Sequence, residues 1–293
     1  MKIIGYGICG AGEADRYLKG TLDCFKSLCD ETIILLNNVG QKEKDLITEY
    51  GFKTIEDNRV WGENQNLLKQ DLMKEVEKLE PDWCICLDMD EVLDVTREKI
   101  EEYTKHSRAY YVYVVNMIDS GWNKQWSFWN VRFWKWDLDV LKHFGDEFYK
   151  FENRPLHCGL APRWAYLHGS YAPFLLLHYG LMKSEDRLRK VERYKQFDPQ
   201  AKYRDKSYYD FLASATNEDY DKSFIENAIQ AEIDGVSYKD RPIMSLNMKN
   251  ANKAFCYFRR IKDGAILDVP ESGYEDMKRN LNFEEMYWVG KRQ

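Results

Sequence analysis

The 293-residue chain contains no apolar run approaching the eighteen or so residues that a membrane-spanning helix requires. Its start, Met1-Lys2-Ile3-Ile4, continues into glycines rather than an apolar signal core, so no secretory signal and a cytoplasmic location are expected. Positive charge is not in excess: 43 Lys plus Arg stand against 49 Asp plus Glu, a net charge of −6. Proteins that neutralise duplex phosphates usually show a basic face, so a duplex nucleic acid partner is disfavoured. The seven cysteines have no paired spacing, and Cys84 and Cys86 alternate along one strand, which is not a zinc knuckle. Reduced, mostly buried thiols are the expectation. There is no internal repeat and no low-complexity tract. What remains is a chain long enough for one large α/β domain and a smaller appendage.

Within that frame, strand-like and helix-like segments alternate. Ile3–Ile8, Thr32–Leu36 and a weaker run at Phe52–Ile55 read as strands. Between and after them, Ala14–Leu28 sets Leu18, Leu22, Phe25 and Leu28 near one helical face, Lys42–Tyr50 is a shorter amphipathic stretch, and Leu67–Leu79 repeats the helical spacing before Pro81. Such alternation builds a parallel sheet covered by helices, and ligands of such sheets bind at the carboxyl ends of the strands.

The apolar strand Cys84-Ile85-Cys86-Leu87 runs straight into Asp88-Met89-Asp90-Glu91, at such an end. Two carboxylates this close suit a hard divalent ion, Mg²⁺ or Mn²⁺, which one or two carboxylates hold together with substrate phosphates. Taken alone the pair could equally start a turn; its position at a strand end favours the metal reading.

Aromatic residues make up 15% of the chain, and Trp122, Trp126, Trp129, Trp134 and Trp136 cluster in Gly121–Asp137. Core filling accounts for most of them, Trp134 or Trp136 above all, while Trp122 or Trp126 could floor an acceptor pocket. Ala109–Ile118 and Ser127–Lys135 read as strands, and Phe174–His178 as a strand that delivers His178 at its end. Ser184 then begins a helix to about Phe197, with Glu185 and Asp186 in its first turn as the helix dipole favours. The catalytic domain is expected at residues 1–182, with a mostly helical region at 183–293.

These stretches together resemble the family-2 type glycosyltransferases with a GT-A fold, in their bacterial and phage members. The likeness rests on Ile3–Glu13, on Asp30–Leu36, on Asp82-Trp83-Cys84-Ile85-Cys86-Leu87-Asp88-Met89-Asp90-Glu91 as the aspartate signature, and on His178-Tyr179-Gly180 with Glu185–Lys190 and Tyr194. It covers roughly residues 1–200. The resemblance implies a Rossmann-like mixed sheet flanked by helices and transfer of a sugar, a hexose, from a nucleotide-diphosphate donor. In it Asp88 and Asp90 bind the Mn²⁺ or Mg²⁺ on the donor diphosphate, and His178 is a further metal or diphosphate ligand. Gly10, Glu13, Asn37 or Asn38, Asn64, Lys183 and Arg187 are then donor-binding residues. The acceptor is left open among saccharide, lipid-linked, protein and nucleic acid base. The chain departs from the pattern at Asn37 and Asn38, where many members carry an acid, and at His157-Cys158, where a His-Glu pair is usual. Asp146, Glu152 and His157 are therefore the candidates for a catalytic base.

Three rival readings carry sequence support. Gly5-Tyr6-Gly7-Ile8-Cys9-Gly10 fits the dinucleotide-binding glycine spacing, but the next strand ends in asparagines rather than the ribose-binding acid. Asp88-Met89-Asp90-Glu91-Val92-Leu93 resembles the first motif of haloacid-dehalogenase type phosphatases, with Asp88 as nucleophile and Asp90 as acid/base. That motif normally opens its domain, whereas here strands and helices precede it. A non-catalytic nucleotide-sugar-binding module is the third.

Overall fold

The computed structural model describes residues 1–151, 156, 159–167, 169–200, 206–214, 217–235, 255–260, 266–270 and 286–291. They fall into two units, Met1–Ile233 and Asp234–Gln293. The first is built on an eight-stranded mixed sheet, with β1 (Ile3–Gly10), β2 (Glu31–Asn37), β3 (Lys53–Glu56), β4 (Trp83–Cys86), β5 (Glu91–Asp94), β6 (Ala109–Ile118), β7 (Gly121–Lys135) and β8 (Gly169–His178). Their order is β3-β2-β1-β4-β7-β6-β8-β5. The half containing β3, β2, β1 and β4 is parallel, while β7 runs antiparallel to both β4 and β6. This is the expected class: α/β, with a Rossmann-like parallel half and a mixed sheet flanked by helices.

The parallel half is explained by its sequence. The all-apolar runs of β1, β2 and β4 are buried on both faces, as strands covered by helices must be. The covering helices are α1 (Leu18–Leu28), α2 (Gln41–Glu49) and α3 (Trp61–Glu77). α1 buries Leu18, Leu22, Phe25 and Leu28 at no more than 2% exposure, the stripe its spacing specifies. It begins later than the apolar periodicity suggests. Residues 11–17 form turns instead, because Glu43 of α2 accepts the Gly12 and Ala14 amides at 2.9 and 3.3 Å and pins that segment across the strand ends. Gly5 and Gly7 lie inside β1 rather than in a phosphate-binding turn after it, which removes the dinucleotide reading. At Gly7 a Cβ would lie 2.4 Å from the Leu87 carbonyl oxygen, so only glycine lets the chain carrying the acid pair lie so close.

The other half, mixed in direction, is rich in aromatic residues. Trp134 and Trp136 stack at 5.7 Å, Trp164 meets Trp134 edge-on at 5.5 Å, and all three are buried. α4 (Arg97–Tyr103), α5 (Leu138–Phe144), a 3₁₀ turn at Gly145–Tyr149 and α6 (Arg163–Leu167) fill the connections. α7 (Ser184–Phe197), α8 (Lys206–Ser214) and α9 (Lys222–Gly235) come after β8, so helical structure after residue 182 is present, yet it belongs largely to the first unit. The second unit is not helical where it is described past α9. There β9 (Phe255–Arg260), β10 (Ile266–Pro270) and β11 (Met286–Lys291) pair antiparallel in the order β10-β9-β11. The region after residue 182, expected to be mostly helical, holds α7, α8 and α9 and, among the described residues past them, these three strands. The apolar residues in those strands fit a sheet as well as a helix when short runs are read alone. Among the described residues no helix is long and apolar enough to cross a membrane. Cys9, Cys24, Cys29, Cys84 and Cys86 are free thiols, all but Cys29 buried.

Candidate functional site

The acid pair sits on a crossing. β4 ends in the middle of the sheet, and the chain passes through Leu87–Asp90 to begin β5 at the far edge, against β8. The β5–β8 register sets Glu91 opposite His178, and Tyr179 donates its amide to the Asp90 carbonyl at 2.8 Å. The parallel β6–β8 register sets Asn116 beside the same histidine. Three strands distant in sequence thus converge on His178.

The result is a tight charged cluster. The Oδ1 of Asn116 lies 2.6 Å from Nδ1 of His178, which orients the ring and leaves Nε2 facing outward. That nitrogen lies 3.5 Å from Oδ2 of Asp90 and 3.3 Å from Nζ of Lys190, itself 3.8 Å from the same Asp90 oxygen. Asp90, His178 and Lys190 expose only 15, 14 and 11% of their side chains. Burial works against charge on Asp90, but His178, Lys190 and Arg16 outweigh it and hold the carboxyl far below the usual range. Gly180 makes room for this: a Cβ there would stand 1.9 Å from Oδ2 of Asp90.

Around the cluster opens a pocket lined by Ala11, Glu13 and Arg16 from the segment after β1, by Asp90 and Gly180, and by Asp186, Arg189, Lys190 and Arg193 of α7. The four α7 residues are spaced to share one helical face. Asp186, buried, accepts from Tyr17 Oη at 2.9 Å and lies 3.5 Å from Arg16, tying α7 to the segment after β1. Two polar atoms at the pocket have no partner although buried: Oε2 of Glu13 and Nε of Arg193. Glu13 pairs with Arg16 through its other oxygen, and burial together with the charge of Asp90 pushes its carboxyl up to about 7.

Asp88 is separate from this cluster. Its side chain is half exposed, and desolvation and Glu91 both raise its carboxyl. Glu91 and Arg132 form a buried two-pronged ion pair at 2.6 and 2.8 Å, and Glu91 also accepts the Asp88 amide at 2.9 Å. Nη2 of Arg132 is 3.8 Å from the Asp88 carboxylate. A buried pair of this kind loses far more by removal of one partner than it contributes as a pair, so it fixes the geometry of the Asp88–Glu91 turn.

The donor types here, two carboxylates and an imidazole, would suit Mn²⁺ or Mg²⁺, but their arrangement does not fit one. Among the described residues no three His, Cys, Asp or Glu side chains come together as a metal cage. The Asp90 oxygen and His178 nitrogen that would ligate an ion both face the Lys190 ammonium, and Asp88 faces Arg132.

Other residues singled out from the sequence are engaged elsewhere. Asn37 donates to the carbonyls of Asp57 and Arg59 at 2.6 and 2.9 Å and is buried, so it braces the segment after β3. Asn38 is exposed with φ 54°, and Asn64 caps the Val60 carbonyl at 2.9 Å where α3 kinks. Arg187 is buried and donates to Asp119 and to the carbonyls of Leu181 and Met182, which turns it from the pocket. Lys183 is exposed ahead of α7, and Gly10 ends β1 in open space. Trp122 is buried and donates to the Asp219 carbonyl at 3.2 Å, a core role rather than an acceptor floor. Asp146 is exposed on the 3₁₀ turn; Glu152, His157 and the Trp126 side chain lie outside the described residues. Sequence reasoning missed Arg16, Asn116, Arg132, Asp186 and Lys190 as site residues. Only the spacing of Asp186, Arg189, Lys190 and Arg193 carried a readable signal.

No protein-family model matches the chain. No curated protein matches it. Among solved structures, similarity is found to TarS of S. aureus at 11% identity and a TM-score of 0.43, covering 72% of this chain and 42% of that one. The chain therefore spans about two fifths of that TarS chain. A 1–349 form of TarS in complex with UDP-GlcNAc gives 11% identity and a TM-score of 0.45, over 73% of this chain and 70% of that one. HddC from Yersinia pseudotuberculosis gives 12% and 0.38, over 67% and 100%. These are likenesses in the course of the backbone, and no residue role here is taken from them.

Proposed function

We propose that the chain is a nucleotide-diphospho-sugar-dependent transferase whose donor diphosphate lies in the pocket between the segment after β1 and α7. The observation that carries this reading is the pocket's set of cations: Arg16, Arg189, Lys190 and Arg193 line one cavity, with the carboxyls of Glu13, Asp90 and Asp186 among them, at the carboxyl end of β1. That is where open α/β sheets bind phosphorylated ligands. Fixed cations aimed at a departing diphosphate stabilise the charge that develops as the glycosidic bond to the sugar breaks. Guanidinium groups add paired hydrogen bonds to phosphate oxygens. In this reading Asp88, half exposed and braced by the Glu91–Arg132 pair, accepts hydrogen bonds from donor hydroxyls. The GT-A resemblance supports the same assignment of the Asp88–Glu91 segment.

A thermal-shift screen of UDP-, GDP-, TDP- and CMP-sugars tests the reading, because a ligand that binds only the folded chain raises its apparent stability. At least one nucleotide sugar should raise the melting temperature while the free sugar does not. No response across the set, together with p-nitrophenyl phosphate turnover that disappears in Asp88→Ala, would replace this reading with the phosphatase.

A further inference from the structure

We infer that the Lys190 ammonium occupies the place a divalent ion would take between Asp90 and His178, so that the chain binds its donor diphosphate with its own cations and without a metal. This rests on the transferase reading and names how that site neutralises its substrate.

Three independent features converge on Lys190. First, its Nζ is 3.3 Å from Nε2 of His178 and 3.8 Å from Oδ2 of Asp90, the two atoms that point into the pocket from β8 and from the Asp88–Glu91 turn. Second, the Asn116 contact at 2.6 Å orients the His178 ring so that Nε2 faces Asp90 and Lys190. That nitrogen is the one an ion at this place would meet, and the Lys190 ammonium stands 3.3 Å from it. Third, Lys190 belongs to the α7 face that also carries Arg189 and Arg193, and Arg193 has a buried Nε without a hydrogen-bond partner at the pocket wall. A buried donor left unpaired is costly, and a phosphate oxygen entering the pocket would satisfy it.

The charges agree with this division of labour. The Asp90 carboxylate lies 3.8 Å from the Lys190 ammonium and so faces a cation of the chain itself. An ammonium brings a single positive charge and three donors, so Lys190 can keep its contacts to Asp90 and His178 while donating to a diphosphate oxygen. Arg193 lines the same cavity, as do Arg16 and Arg189, which also face Asp186.

Calorimetric titration of the full chain with inorganic pyrophosphate, and in parallel with UDP, GDP, TDP and CMP, decides the matter in EDTA and again in excess MnCl₂. The inference expects pyrophosphate to bind in EDTA, with little change on adding Mn²⁺. It expects Lys190→Met to weaken that binding about tenfold or more, as loss of a charge-assisted hydrogen bond does, and Lys190→Arg to retain most of it. Binding that appears only with Mn²⁺ overturns it, as does unchanged affinity of Lys190→Met in EDTA, or no pyrophosphate binding in either medium. The wild-type EDTA arm needs no substitution, so a poorly folded variant does not protect the claim. Nucleotides that bind only with Mn²⁺ would end this inference and leave the transferase reading standing. Pyrophosphate bound in EDTA with no response to any nucleotide or nucleotide sugar would keep the cation seat and end the transferase reading.

Discussion

Glu13 is the residue at which the pocket's electrostatics become measurable. It sits between Arg16 and Asp90, 14% exposed, with one carboxylate oxygen buried and unpaired. Its folded-state carboxyl titrates near 7, whereas the unfolded chain's would titrate near 4.3. Between those values the unfolded chain releases a proton that the folded chain keeps, so stability falls as pH rises through this window and the deficit is complete above it. Glu13→Gln retains an acceptor for Arg16 and removes the titration. Its melting temperature should therefore exceed that of the wild type at pH 8, and the gap should close as pH approaches 4.5. Parallel pH dependence of the two proteins would show that Glu13 is ionised at ordinary strength. The sequence marked Glu13 through resemblance alone, and nothing local announces its state. Burial by α7 and the charge of Asp90 create that state, and both arrive from distant parts of the chain.

At the level of elements, α7 is the wall of the pocket, and Asp186 fastens it. Its buried carboxylate receives the Tyr17 hydroxyl at 2.9 Å and lies 3.5 and 3.7 Å from Arg16 and Arg189. Asp186→Ala would leave the Tyr17 hydroxyl and a guanidinium without their acceptor, at about 1–3 kcal/mol of stability. Because α7 also carries Lys190, pyrophosphate affinity should drop in the same variant although residue 186 need not touch the ligand. Urea unfolding and calorimetry on one preparation check both halves; a stability loss with intact affinity would show that α7 is held chiefly by its apolar side, Val191 and Tyr194. The start and end of the helix are readable in the sequence, since the acids of the first turn and the apolar spacing are local properties. Which face looks into the pocket is not local. Arg187 stands about 100° around the helix from Asp186, and only packing against Asp119 and the Leu181–Met182 carbonyls reveals that it points away.

Across the whole molecule, the parallel half was legible because its strands are doubly buried and succeed one another in sequence, each with a helix between. The mixed half was not. β5 lies at the sheet edge, four strands from β4, and pairs antiparallel with β8, a register that no local pattern encodes. That long-range pairing, with β6 alongside, is what joins Asp90, His178 and Asn116 into one site. The same holds for the partition of the chain, where α7, α8 and α9 continue the first unit instead of opening a second. Two buried apolar clusters among the described residues are made by residues of Met1–Ile233: one over the sheet around Phe25, Ile85 and Phe133, the other uniting Ile118, Leu181 and Val191 with Tyr209 and Leu212. A unit holding its own cores should fold without the residues C-terminal to it. A chain ending at Gly235, which keeps α9 whole, should melt in one cooperative transition and bind pyrophosphate as the full chain does. Ending instead at residue 182, the boundary suggested by sequence, removes α7 together with Lys190, Arg193 and half of the second cluster, and should abolish both. If the chain ending at Gly235 fails to melt cooperatively, residues beyond it complete the fold of the first unit and the partition at Ile233 is wrong.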